Sequence, residues 1–108
     1  MPRFVKAMEL SKLSPGTMAG VEVEGRHILL SNLGGEVYAV SGVCTHEESL
    51  LSEGFMVEER VVCQLHLSQF DLRTGDVQNP PATKALERYN VKIEEGSIFV
   101  DVEGTAVD

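Results

Sequence analysis

The chain has 108 residues, 43% of them hydrophobic and 24% charged, which fits one ordinary globular domain spanning residues 1–108 and excludes a disordered chain. Its formal net charge of −8 argues against a nucleic-acid partner, because phosphates demand a basic surface. The same charge suits either plain solubility or docking on a basic patch of another protein.

The opening residues Met-Pro-Arg-Phe-Val-Lys-Ala-Met hold no apolar stretch of secretory length. No run nears the roughly 18 apolar residues that span a bilayer, so no membrane association and a cytoplasmic location are expected. Helical periodicity is almost absent. Short β-type runs alternate with turn signals, the mark of an all-β sandwich or barrel. Phe4–Ala7 is the first expected strand, followed by a short helical or 3₁₀ turn over 11–16 closed by Pro15-Gly16. Val21–Val23 and Ile28–Leu30 flank a turn at Glu24-Gly25, and Gly34-Gly35 leads into a strand over Glu36–Val40. Residues 41–83 carry fewer strand signals and several turn residues, so they read as a metal-binding subdomain inserted into an antiparallel β-sandwich scaffold. After it, Val91 and Ile93 share one strand face, Ile98, Val100 and Val102 share the next, and Glu95-Gly96 makes the turn between them.

The chemistry lies in the inserted segment. Cys44-Thr45-His46 and Cys63-Gln64-Leu65-His66 contain both cysteines of the chain and two of its three histidines. Ligands two or three residues apart come from tight loops, and two such loops can clamp a metal centre from both sides. A disulfide is the weaker reading, because nothing marks a secreted chain. Two Cys and two His in the order C-x-H…C-x-x-H make the pattern of a Rieske [2Fe–2S] centre, with two thiolates on one iron and two imidazoles on the other. That assigns Cys44 and Cys63 to one iron and His46 and His66 to the second. Zinc is the competing metal, since Cys₂His₂ is also a tetrahedral zinc set. Zinc fingers, however, place the cysteines first and the histidines after, whereas here they interleave.

The segment from Cys44 to Gly54, followed by Val61 to Gly75, resembles the Rieske-type ferredoxins of bacterial oxygenase systems. The similarity runs on through Asn79-Pro80-Pro81, the 85–94 segment and the last hairpin, and more weakly over the N-terminal strands. This resemblance implies a Rieske fold of stacked antiparallel sheets with one [2Fe–2S] cluster at a tip. It also implies a one-electron carrier, not an enzyme, working between a flavin-containing NAD(P)H reductase and a terminal oxygenase. Such a carrier is expected to be a monomer and to meet both partners transiently. Cys44 and Cys63 are then the buried ligands, and His46 and His66 the exposed ones and the electron exit. Their outer nitrogens would couple the potential to alkaline pH.

Respiratory Rieske proteins add a membrane anchor, a disulfide beside the cluster, and a serine and tyrosine whose hydroxyls bond its sulfurs. The positions matching the extra cysteines are not cysteine here, and Ser68 and Phe70 stand at the other two. With no tyrosine hydroxyl, and Glu47 and Glu48 beside His46, the potential is expected near the low end of the Rieske range, around −150 mV. Ser68 either raises it somewhat or bonds only its own backbone. Asn79-Pro80-Pro81 resembles the loop that covers the cluster in this family. Leu50, Leu51, Leu65 and Leu67 are expected to pack the subdomain, with Leu65 or Leu67 also forming an apolar rim around His46 and His66. His27 reads as structural and Arg73–Asp76 as a plain turn. Two rival functions remain at this stage: a small Rieske subunit of a nitrite reductase-like complex, and a zinc-stabilised interaction module. The electron acceptor is either a ring-hydroxylating dioxygenase, favoured by Asn-Pro-Pro, or a diiron monooxygenase.

Overall fold

The computed structural model describes residues 2–44, 49–64, 67–79 and 84–103. Regular structure begins with β1 (Phe4–Glu9), β2 (Thr17–Val23), β3 (Arg26–Leu33) and β4 (Glu36–Ser41). Four three-residue strands follow: β5 (Phe55–Val57), β6 (Arg60–Val62), β7 (Gln69–Asp71) and β8 (Val77–Asn79). The chain closes with β9 (Arg88–Tyr89), β10 (Val91–Glu94) and β11 (Ser97–Asp101). Single 3₁₀ turns occupy Leu10–Lys12 and Leu51–Glu53, and no α-helix occurs among the described residues. None of their helices is long and apolar enough to cross a membrane.

These strands form three antiparallel sheets, ordered β1-β11-β10, β2-β3-β4-β9 and β5-β6-β7-β8. The second sheet is the middle layer, as its burial shows. Ile28 and Leu30 point into an apolar cluster with Ile98 and Val100 of the first sheet and Val102 just beyond it. Leu29 points the other way, into a second cluster with Val61 and Phe70 of the third sheet. Side chains alternate along a strand, so an unbroken Ile-Leu-Leu run is what a strand buried on both faces needs.

The expected hairpins form where the turn chemistry allows. Glu24-Gly25 and Glu95-Gly96 both have left-handed φ at each central position, 49° and 81° in the first, 49° and 77° in the second. That is the type I′ geometry whose twist matches the flanking strands. Val91 and Ile93 share a face as expected, opposite Val100 and Ile98; Ile93 is 43% exposed, because β10 is the edge of its sheet and no layer covers its far end. One expectation needs correction: the middle segment is richer in strand than its signals promised. Three residues are too few to display alternation, and those strands are held by pairing and by the core beneath them.

Asp101 ties down the N-terminus. Its Oδ1 accepts the backbone N–H of Arg3 at 2.9 Å and of Glu103 at 3.0 Å, while Val102 N–H donates to the Arg3 carbonyl at 3.0 Å. These N–H donors hold the Asp101 carboxyl below its ordinary value. A depressed folded pKa means stability that is present above the unfolded value of about 3.9 and lost as pH falls through the folded one. Asp101→Asn should therefore lower Tm at neutral pH and flatten its fall on the acid side, as thermal melts across that range would show. In β3, the buried Ser31 Oγ has no hydrogen-bond partner among the described residues. Ser31→Ala should be neutral or stabilising by up to about 1 kcal/mol in urea denaturation, since it removes an unsatisfied hydroxyl. A clear loss of stability would mean that the hydroxyl is bonded after all.

Candidate metal centre

Two loops carry the cysteines, one running from the second sheet to the third and the other joining β6 to β7 within the third. The first leaves the end of β4. Gly42 N–H donates to the His27 carbonyl and Leu51 N–H to the Gly42 carbonyl, both at 2.8 Å. An isolated bridge pairs Val43 with Leu50, and Cys44 N–H donates to the Ser49 carbonyl at 2.9 Å. The second loop leaves the end of β6. Cys63 N–H donates to the Ser68 carbonyl at 2.8 Å, and Leu67 N–H donates to the Cys63 carbonyl at 3.0 Å. Both loops thus close in the same way, with the cysteine amide held by the carbonyl of the serine five residues on.

Both cysteines are buried and neither is in a disulfide. They belong to one apolar cluster with Leu29, Val40, Leu51, Val61, Phe70, Leu72 and Leu86. Cysteines this buried, on separate loops but within one apolar cluster, suit a group that takes two thiolates from two directions. His46 and His66 lie outside the described residues, as do Glu47, Glu48, Leu65, Pro80 and Pro81.

Several neighbours support the loops. Gln64 Nε2 donates to Glu53 Oε1 at 3.4 Å, linking the loop that follows Cys63 to the turn that follows Cys44. That turn rests on β2, where a Cβ at Gly20 would lie 2.7 Å from the Cβ of Ser52. Sequence reasoning missed Gly20 and Ser52. A glycine inside a strand does signal close approach, but nothing local names what approaches. Arg73 was also undervalued. Its turn forms as expected, yet its guanidinium pairs with Glu59 at 2.8 Å and with Asp71 at 3.3 Å. Arg88 donates to the Arg73 carbonyl at 3.2 Å, so this turn ties the third sheet to β9. Burial pushes the Asp71 carboxyl up, but the Arg73 backbone and side-chain bonds outweigh it and hold the group below its ordinary value.

Ser68 and Phe70 are both fully buried, and Phe70 is part of the apolar cluster around the cysteines. Leu51 packs the same cluster as expected, whereas Leu67 is 56% exposed. His27 sits half-exposed in β3 with its Nε2 3.8 Å from a Glu22 carboxylate oxygen. It lines a shallow cleft of about 200 Å³ with Gly20, Leu50 and Ser52. Its backbone carbonyl, which anchors Gly42, is what serves the cysteine loop.

The sequence profile of the Rieske [2Fe–2S] domain matches residues 3–90. The chain belongs to the Rieske family. It is 34% identical over 100 residues to the ferredoxin component of the naphthalene 1,2-dioxygenase system of Pseudomonas putida, covering 93% of this chain and 96% of that protein. To the ferredoxin component of biphenyl 2,3-dioxygenase of Rhodococcus jostii it is 39% identical over 101 residues, covering 94% of each. The fold superposes on the ferredoxin of carbazole 1,9a-dioxygenase from Nocardioides aromaticivorans with a TM-score of 0.85 at 31% identity, over 91% of this chain and 96% of that one. This Rieske ferredoxin carries one [2Fe–2S] cluster and is an electron carrier, not a catalyst. The family match sets zinc aside, in agreement with the interleaved order of the cysteines and histidines.

Proposed function

We propose that Cys44 and Cys63 hold one iron of the cluster and His46 and His66 the other, and that the chain relays single electrons from a flavin-containing NAD(P)H reductase to a terminal oxygenase. The burial of both cysteines in one apolar cluster carries this reading. When bound, the cluster supplies reversible one-electron chemistry at a potential above that of plant-type centres. The chain's own residues keep water from the thiolates and fix the direction of each Cβ through the closed loops. In this reading residues 1–108 form a single Rieske domain, and residues 41–83 are its cluster-binding part. The protein works in the cytoplasm as a monomer that leaves one partner before meeting the next, with the small contacts, under about 1,200 Å², typical of electron-transfer pairs.

The relatives support this partner class. Those matched above are ferredoxin components of aromatic dioxygenase systems. A chain of the same fold, matched at TM-score 0.89 and 28% identity over 97% of both chains, belongs to a complex of reduced oxygenase and oxidised ferredoxin in carbazole 1,9a-dioxygenase. The decisive experiment pairs spectroscopy with turnover. The dithionite-reduced protein should give the low-average-g EPR signal of a Rieske centre. The holoprotein should also reoxidise when mixed with a terminal dioxygenase. A normal signal without any transfer to an oxygenase would end the proposed role while keeping the cluster.

Ser68 offers a finer test. If its hydroxyl donates to a cluster or cysteine sulfur, it stabilises the added electron. Ser68→Ala should then lower the midpoint potential by roughly 40 mV, the one-electron equivalent of a hydrogen bond worth about 1 kcal/mol. An unchanged potential in protein-film voltammetry would assign the hydroxyl to the backbone alone.

A further inference from the structure

Four non-glycine residues among those described adopt left-handed φ: Glu24, Glu58, Glu95 and Leu67. The three glutamates sit at hairpin turns, where a polar side chain in that conformation is unremarkable. Leu67 is different. It follows the second Cys–His pair at φ 61°, where an L side chain crowds the backbone and glycine or asparagine would be at ease. It also leaves its side chain 56% exposed. The loop closure through Cys63 and Ser68 sets this backbone, but it does not call for a leucine. Strain spent on presenting an apolar group to water points to a binding role.

A second exposed apolar element lies at the same end of the third sheet. On β5, Met56 turns inward to the core, while Phe55 and Val57 on the opposite face are 51% and 45% exposed. Phe55 pairs with Val62, and Val62 pairs with Gln69. This row lies at the end of the sheet that leads into Cys63 on one strand and follows Leu67 on the next. Exposed Glu53 precedes it by two residues and accepts from Gln64, whereas Glu58 and Glu59 form the turn at the far end of the β5–β6 hairpin, Glu59 paired with Arg73. Arg60, the single base between 49 and 64, is bonded to Gln69. An apolar centre of this kind fits a partner that offers an apolar pocket.

We propose that Leu67 and Phe55 form the apolar centre of the surface that docks the terminal oxygenase. This rests on the relay function proposed above, and the relative of the same fold in complex with its oxygenase is the reason for choosing that occupant over the reductase. Electron delivery through this surface changes neither the cluster nor its potential, so docking and redox properties separate cleanly.

The test uses reduced holoprotein mixed by stopped flow with the terminal oxygenases of the naphthalene 1,2-dioxygenase and biphenyl 2,3-dioxygenase systems. Leu67→Asn keeps a residue tolerant of the left-handed backbone, Phe55→Ser probes the other strand, and Ile93→Ser on the distant β10 edge is the control. Leu67→Asn and Phe55→Ser should each retain the visible spectrum and midpoint potential, yet slow reoxidation by an oxygenase roughly tenfold or more, the scale of a truncated hot spot. Leu67→Asn should melt no lower than the parent, and Ile93→Ser should transfer electrons at the parent rate. Parent-like rates in both Leu67→Asn and Phe55→Ser overturn the proposal. So does a loss confined to reduction by the flavin reductase, which would give this surface to the other partner. Failure of the parent protein to reduce either oxygenase would instead remove the relay function.

Discussion

Cys63→Ser should yield a colourless protein with little or no bound iron. In the proposed assignment the Cys63 thiolate is an iron ligand, whereas a serine hydroxyl stays protonated near neutral pH and holds soft metals poorly. Its site in the fold makes the loss worse. Cys63 is 1% exposed and lies among aliphatic and aromatic side chains, so a hydroxyl there lacks water. Leaving it unsatisfied costs about 1–3 kcal/mol. The binding energy that the cluster contributes to the folded state disappears as well. The expected record is loss of the visible bands and of the EPR signal, with a Tm well below that of the parent holoprotein. Gln64→Ala, which removes only the 3.4 Å link to Glu53, should keep the cluster. A Cys63→Ser protein with full iron content would disprove the ligand assignment.

Gly54→Ala is expected to be nearly as damaging, although Gly54 ligates nothing. A Cβ at this position would lie 2.0 Å from the carbonyl oxygen of Val62 and 3.1 Å from its carbonyl carbon. Backbone cannot swing aside as a side-chain tip can. Val62 is paired with Phe55 on one side and Gln69 on the other, and the next residue is Cys63. Relief must therefore come from parting the Leu51–Glu53 turn from β6, which separates the two cysteine loops. Overpacking against rigid backbone should cost about 3 kcal/mol or more, with poor cluster retention in the purified protein. Gly16 gives the contrast. Its φ is +84° but nothing lies within 4 Å of its Cβ position, so Gly16→Ala should cost only about 1 kcal/mol of backbone strain and leave the iron content intact. Equal iron content and equal melting temperatures in the two variants would refute the argument.

The outer scaffold was legible because its signals are local. A hairpin needs a residue pair that accepts left-handed φ, and Glu24-Gly25 and Glu95-Gly96 announce it. A strand buried on both faces needs an unbroken apolar run, and Ile28-Leu29-Leu30 is one. The third sheet was not legible, since strands such as Gln69–Asp71 are too short to show a period and persist only because neighbours pair with them. Ile93 shows the limit of such patterns. Its alternation is correct, but alternation says which face a residue takes and not whether another layer covers that face.

The sequence by itself pointed to the proposed donor set. Which side chains can hold iron is a property of each residue, and interleaved Cys–His pairs need no fold to be read. Local spacing likewise determined the two outer hairpins. Tertiary structure alone decided that Cys44 and Cys63 share one apolar cluster, that Gly20 and Gly54 must lack side chains, that Arg73 ties two sheets together, and that Leu67 stands strained at the surface. Each depends on which segments, distant along the chain, are brought into contact by strand register and packing, and a single sequence does not contain that information in any local window.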